Sequence, residues 1–278
     1  MTLFLDFRTS GVGGGILEEP RVLEGDGLVE PLSLTSLGHA LPDDRVAGRE
    51  VVFVTHGFNV SREEGVHSLA RLESHLQLGP AFVFVAVLWP GDFWIPVINY
   101  PAEAEDAVRC GRLLANFANT TLQLASGVSL VSHSLGGRLI LEVAKHLDRP
   151  AREVCLLAAA VDDDCLTTQQ YSAARANSQQ ISVLASRKDV VLRIAYPAGD
   201  FFSDLFYDDD SPSRKALGYH GPRPRAVDKV HHGQIPPCEK FGHGDYLPPS
   251  DLQDTNSKVA KPEAFISETL LGLPHAWP

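Results

Sequence analysis

Val128-Ser129-Leu130-Val131-Ser132-His133-Ser134-Leu135-Gly136 decides the reading of this chain. A short apolar run leads into a serine flanked by small residues, and a helix pattern follows from Leu135 to Leu147, ahead of Pro150. Such a run suits a strand buried on both faces. A tight turn from strand into helix pushes the side chain at its apex outward. Strand and helix approach closely there, so the residues two before and two after the apex must be small. Here they are Ser132 and Gly136. Glycine is usual at both positions, so the chain departs at Ser132, where serine is still small. Ser134 is thus a candidate nucleophile, and a serine hydroxyl needs a base to activate it. His133 adjoins it but points elsewhere across the turn, and it reads as a packing and hydrogen-bonding residue. The plain alternative is a strand–helix turn that merely contains serines.

Working outward, strand and helix patterns alternate. Val51 to Thr55 is a β-branched and aromatic run ended by Gly57. A helix pattern starts at Ser61, with Glu64 placed to close a capping box. Further runs are Ala81 to Leu88, Val154 to Val161 and Ile181 to Ala185, with a weaker one in Ala226 to Gln234. Helix patterns cover Pro101 to Leu124, Ser172 to Ser178 and Glu263 to Leu271. This alternation predicts an α/β fold, a mostly parallel central sheet with helices on both faces. Residues 1–48 read as one or two antiparallel strands and loops that extend the sheet. Residues 197–225 read as an inserted loop or lid. With no linker and no repeat, 1–278 is expected to be a single domain.

In such sheets ligands bind at the C-terminal ends of the strands, and the suggestive residues cluster there. Acyl transfer needs two donors aimed at a developing oxyanion. One is expected from the backbone N–H of Leu135, next to Ser134. The other is expected from the backbone N–H of Phe58, in His56-Gly57-Phe58-Asn59 after the Val51–Thr55 run. An acid should follow a later strand. Asp189 fits best, and Asp162, Asp163 and Asp164 are its rivals. A base should come later still, from His220, His231, His232, His243 or His275. His243 is favoured because Gly242 and Gly244 flank it, and glycines let a loop reach inward. Trp89, Phe93, Trp94 and Tyr100 lie in an unusually apolar stretch after a strand end. They read either as a pocket wall or as packing over the sheet edge. With Phe201, Phe202, Phe206 and Tyr207 they could form a lid.

Composition narrows the classes. The chain has 278 residues, 44% of them hydrophobic, which is ample for a buried core. A formal net charge of −11 argues against nucleic-acid or anionic-membrane binding. No apolar run approaches the ~20 residues of a membrane span. The N-terminus shows no basic head, apolar core and cleavage site. The four cysteines form no CxxC pair, so a reducing, cytoplasmic setting without disulfides is expected. No HxxxH or HExxH spacing occurs, so neither a metal nor another cofactor is expected.

These segments together resemble a family. Val51 to Asn59 resembles the opening signature of a bacterial group of uncharacterised, esterase-like α/β hydrolases. Leu88-Trp89-Pro90, Ser132 to Gly136 and Leu157 to Asp162 are similar to the motifs that follow in that group, in the same order. Ser186-Arg187-Lys188-Asp189 is similar to its acid-bearing segment. The resemblance spans roughly residues 50–245 and is weakest after Asp189. It implies the α/β-hydrolase fold and ester or related acyl hydrolysis at Ser134, with Asp189 as acid and a late histidine as base. The expected substrate is a small or medium hydrophobic ester, and the expected state a monomer or homodimer. An acyltransferase on the same residues, or a binding protein that kept the fold, are the other readings.

Overall fold

The computed structural model describes residues 1–9, 14–91, 100–194, 215–273 and 277. Three N-terminal strands come first: β1 (Thr2–Arg8), β2 (Ile16–Gly25) and β3 (Leu34–Gly38). After the short α1 (Asp43–Val46), β4 (Glu50–Thr55) leads to α2 (Arg62–Leu76), and β5 (Phe82–Leu88) to α3 (Tyr100–Thr121). β6 (Gly127–His133), α4 (Gly136–His146), β7 (Ala151–Leu157), α5 (Ser172–Ala176) and β8 (Ser178–Ser186) follow. The described chain closes with α6 (Leu217–His220), β9 (Val230–Ile235) and α7 (Ala260–Leu270).

The nine strands form one sheet in the order β3-β2-β1-β5-β4-β6-β7-β8-β9. Only the β1–β2 and β2–β3 pairs are antiparallel. Every residue of β4 is buried, which requires cover on both faces of the sheet. α3 packs on α4, and α2 packs on α7. The Ser61 hydroxyl and the Glu64 carboxylate close the capping box that starts α2. Among the described residues no helix is long and apolar enough to cross a membrane.

Two expectations need correction. The N-terminal region holds three strands, and β1 runs parallel to β5 rather than antiparallel at the rim. It is sandwiched between β2 and β5, so all seven of its residues are buried. The Val154–Val161 run is a strand only to Leu157, because Ala158 turns the chain at φ 45°. Of the proposed insertion, 197–214 lie outside the described residues. Leu217 and Gly218 donate their backbone N–H groups to Val161 and Ala159, which holds α6 against the end of β7.

A polar group lies near the N-terminal ends of the central strands. Glu50, 5% exposed, accepts from Ser129 Oγ at 2.5 Å and from Arg152 Nη1 at 2.8 Å. Among the described residues, one buried oxygen of neighbouring Glu153 has no hydrogen-bond partner. Burial, and then the like charge of Glu50, push the Glu153 carboxyl up to about 7. Its protonated form favours the fold, so stability is lost as pH rises from its unfolded value near 4.5 to about 7. Glu153→Gln is therefore expected to raise the melting temperature at pH 8 by roughly 2 °C. At pH 4 it should give no gain, and thermal melts at the two values check this.

Candidate active site

The strand order puts β4 between β5 and β6, so the chain leaves β4 toward one side and later returns on the other. That switch point lies at the C-terminal ends of β4 and β6, where open α/β sheets take their ligands. Thr55 pairs with Ser132 at these ends. The segments 56–60 and 132–136 therefore face each other there.

Ser134 sits at the apex after β6 with φ 55°, a left-handed backbone that non-glycine residues rarely adopt. Such a conformation costs on the order of 1–3 kcal/mol and persists only where the surroundings enforce it. Here Ser134 N–H donates to Leu157 O at 3.0 Å, and Ser134 O accepts from Gly137 and Ala160 N–H at 2.9 and 3.0 Å. The elbow is thus clamped to the end of β7.

The close approach predicted around Gly136 is present. A Cβ there would lie 2.5 Å from His56 O and 2.8 Å from Thr55 Cγ2. Gly136→Ala must push the 56–60 backbone away. The expected outcome is a loss of about 1–3 kcal/mol, read as a melting temperature lower by roughly 3–10 °C. An unchanged melt would count against this packing. At Ser132 the side chain is buried, and among the described residues its hydroxyl has no hydrogen-bond partner.

His243 Nε2 lies 2.8 Å from Ser134 Oγ. His243 Nδ1 lies 2.7 Å from Asp189 Oδ2. A carboxylate only accepts, so Nδ1–H donates to Asp189 and Nε2 is left to accept from the serine. Asp189 is fully buried after β8, and its Oδ1 also accepts from Leu192 N–H at 2.9 Å. The His243 loop is pinned from several sides. Asp245 accepts from Gly242 N–H at 2.7 Å, from Lys258 Nζ at 2.9 Å and from Asn256 Nδ2 at 3.1 Å. His133 Nε2–H donates to His243 O at 2.9 Å, with the two rings 4.8 Å apart. Burial, and then the neighbouring His243, hold the His133 ring down to about 3, so it stays neutral.

The 56–60 loop lies against the elbow: a Cβ on Gly57 would come within 2.8 Å of Ser134 Cβ. Among the described residues neither Phe58 N–H nor Leu135 N–H has a hydrogen-bond partner. Leu135 also begins α4, whose N-terminal dipole favours negative charge. Two donors without a partner among the described residues, beside the Ser134 hydroxyl, could hold an oxygen that gains charge.

The rival residues have other partners. Asp163 lies 3.2 Å from both Arg223 Nε and His220 Nδ1, and Asp164 pairs with Arg223 Nη2 at 3.0 Å. Asp162 forms a β-bridge with Ala216. His232 Nδ1 lies 3.2 Å from Arg225 Nη1, and His231 is exposed on β9. His275, Phe93, Trp94, Phe201, Phe202, Phe206 and Tyr207 lie outside the described residues, as does the Tyr100 side chain. Trp89 is fully buried, stacked 5.8 Å from His56, and its Nε1 donates to His56 O at 3.1 Å. That places it behind the 56–60 loop, bracing it. Among the described residues no cluster of His, Cys, Asp and Glu is placed to hold a metal ion.

One part of the site has no counterpart in the sequence reading. Arg8 and Asp6 end β1, and only the parallel β1–β5 pairing brings them to this edge. The signal was two charges closing an otherwise apolar run.

Over residues 35–200 the chain matches the family described as "Alpha/beta hydrolase of unknown function (DUF900)". No curated protein matches it. Among solved structures it is similar to esterase PE8, at 18% identity and a TM-score of 0.44, covering 82% of this chain and 96% of that one. It is also similar to a carboxylesterase from Mesorhizobium loti, at 17% identity and a TM-score of 0.40, covering 92% and 96%. Esterase B from Lactobacillus rhamnosis is similar at 10% identity and a TM-score of 0.44, covering 90% and 86%. With its match spanning more than half of its length, the chain belongs to this family of α/β hydrolases.

Proposed function

We propose that the protein is a serine esterase that hydrolyses small or medium hydrophobic carboxylic esters through an acyl-enzyme at Ser134. The observation that carries this reading is the continuous chain of hydrogen bonds Ser134 Oγ, His243 and Asp189, at 2.8 and 2.7 Å. In it, Ser134 Oγ attacks the ester carbonyl carbon while His243 Nε2 takes its proton. Asp189 keeps the imidazole in the tautomer that can accept, and it stabilises the imidazolium that forms. The N–H groups of Phe58 and Leu135 hold the oxygen that becomes negative. His243 then returns the proton to the departing alkoxide. Water, deprotonated by the same nitrogen, attacks the acyl carbon; the bond to Ser134 Oγ breaks, Oγ takes the proton back from His243, and the acid leaves. The apolar stretches 93–98 and 201–207 support a hydrophobic acyl or alcohol group. The whole chain would act as one domain, since β1 to β3 continue the sheet that carries the serine.

The test is direct. A fluorophosphonate probe should add to the wild-type protein, and peptide mass spectrometry should place the adduct on Ser134. A panel of p-nitrophenyl esters of rising acyl length should then show turnover with a maximum at short or medium chains. An unlabelled Ser134 in folded protein would refute the reading.

A further inference from the structure

Arg8 is a charged residue at the end of the first strand, only 4% exposed. A buried guanidinium is costly unless its donors are used. Because Asp6 pairs with Leu88, Arg8 lies beyond the end of β5, at the sheet edge that holds Ser134. Its Nη2 lies 2.5 Å from Val60 O and 3.4 Å from His56 Nε2. These two acceptors are the two ends of the 56–60 loop. Between them, His56 Nδ1–H donates to Gly57 O at 2.8 Å. The ring therefore carries its proton on Nδ1 and offers Nε2 to Arg8. Burial, and then the Arg8 charge, hold His56 down to about 3, which keeps it neutral and able to accept. From the other side, Trp89 holds His56 O.

The strand end is itself anchored. Fully buried Asp6 accepts the Arg8 backbone N–H at 3.1 Å, and it pairs with Arg21 at 3.0 Å and Arg62 at 2.8 Å. One terminal nitrogen with two N–H groups suits two acceptors on one loop, a task for which a guanidinium is better shaped than an ammonium. Arg8 also lies outside residues 35–200, the part of the chain that matches the family.

We propose that Arg8 is a positioning residue for the oxyanion loop: it grips His56 and Val60 so that Phe58 N–H stays set against Ser134. The proposal rests on the serine-esterase reading. Arg8 would act through the loop and would not touch substrate. Its loss should therefore appear in the chemical step and not in substrate binding.

The experiment compares wild type with Arg8→Met, Arg8→Lys and, as a control at a surface arginine that pairs with Glu24, Arg45→Ala. Arg8→Met is expected to lower kcat for a p-nitrophenyl ester by about 10- to 100-fold, with KM within about twofold. Fluorophosphonate labelling should slow by a similar factor, because the phosphonyl oxygen uses the same donors. The acid limb of the pH–rate profile should not move, since His243 and Asp189 are untouched. Arg8→Lys should recover part of the loss, and Arg45→Ala should match wild type. A folded Arg8→Met with kcat within twofold of wild type overturns the proposal while leaving the esterase reading standing. So does a loss confined to KM. A wild-type protein that neither labels at Ser134 nor turns over esters overturns both. If Arg8→Met does not fold, 15N-histidine spectra of wild type decide. His56 protonated on Nδ1 with a bare Nε2 supports the grip, and a proton on Nε2 overturns it.

Discussion

Ser134→Ala is expected to abolish fluorophosphonate labelling and to lower kcat for esters by about 10^5- to 10^6-fold. The magnitude follows from how the parts depend on one another. On the esterase reading, without Oγ no acyl-enzyme forms, so His243 and Asp189 have no proton to move, and their contribution vanishes with the serine's. What survives is the polarised pocket at Phe58 and Leu135, which still favours attack by water. KM should change little, because the hydroxyl contributes little to binding the ground state. The variant should also be no less stable than wild type: alanine at φ 55° is as strained as serine, and the clamping bonds at this position are made by backbone atoms. Residual turnover above one part in a hundred in a preparation free of wild-type enzyme would show that another nucleophile does the work.

Asp189→Asn is expected to lower kcat by about 10^4-fold while the fold persists. An amide fills the same space, and its oxygen can still accept from Leu192 N–H, which Asp189 Oδ1 does now at 2.9 Å. The change falls on the other bond. Asp189 Oδ2 receives Nδ1–H of His243 at 2.7 Å, and an NH2 group placed there presents a donor to a donor. The ring relieves this by carrying its proton on Nε2. That nitrogen then faces Ser134 Oγ as a donor and cannot take its proton. Rate measurements with far-UV circular dichroism check the prediction. A loss of tenfold or less would assign the orienting role to another carboxylate, with Asp162 the next candidate.

The strands nearest the site were legible because a strand buried on both faces leaves an uninterrupted apolar run. β4, β6 and β8 all have that signature, and each ends where a site residue begins. Thr2 to Phe7 was expected in one of the antiparallel strands that extend the sheet. Its polar residues are instead buried and paired sideways, as Asp6 is with Arg21 and Arg62. The pairing of β1 with β5 sets residues 82 positions apart side by side, as Asp6 and Leu88 are, and local pattern does not reveal that. Ser134, Asp189 and His243 stood out by their order along the chain and their places after strand ends. The reason given for His243 was different from what holds it. Gly242 has an ordinary φ of −93°, so no unusual backbone is used there. The loop is fixed by Asp245, Lys258 and Asn256, contacts that only the folded C-terminal region supplies. Trp89 was weighed as a pocket wall because aromatic residues after a strand serve either side of a loop equally well in sequence.

The placement of that pinned histidine bears on how the protein is made. His243 meets Ser134 across 109 residues of chain, and Lys258, farther on still, steadies it. A ribosome works from the N-terminus, so the strained serine turn is finished long before its proton acceptor emerges. On the esterase reading, the nascent chain therefore holds a serine that cannot yet react. Catalytic power then arrives only once residues 243–258 have emerged and α7 has docked on α2. A polypeptide cut short between Asp189 and His243 would carry the turn, the loop and the acid, and lack the group that takes the serine's proton.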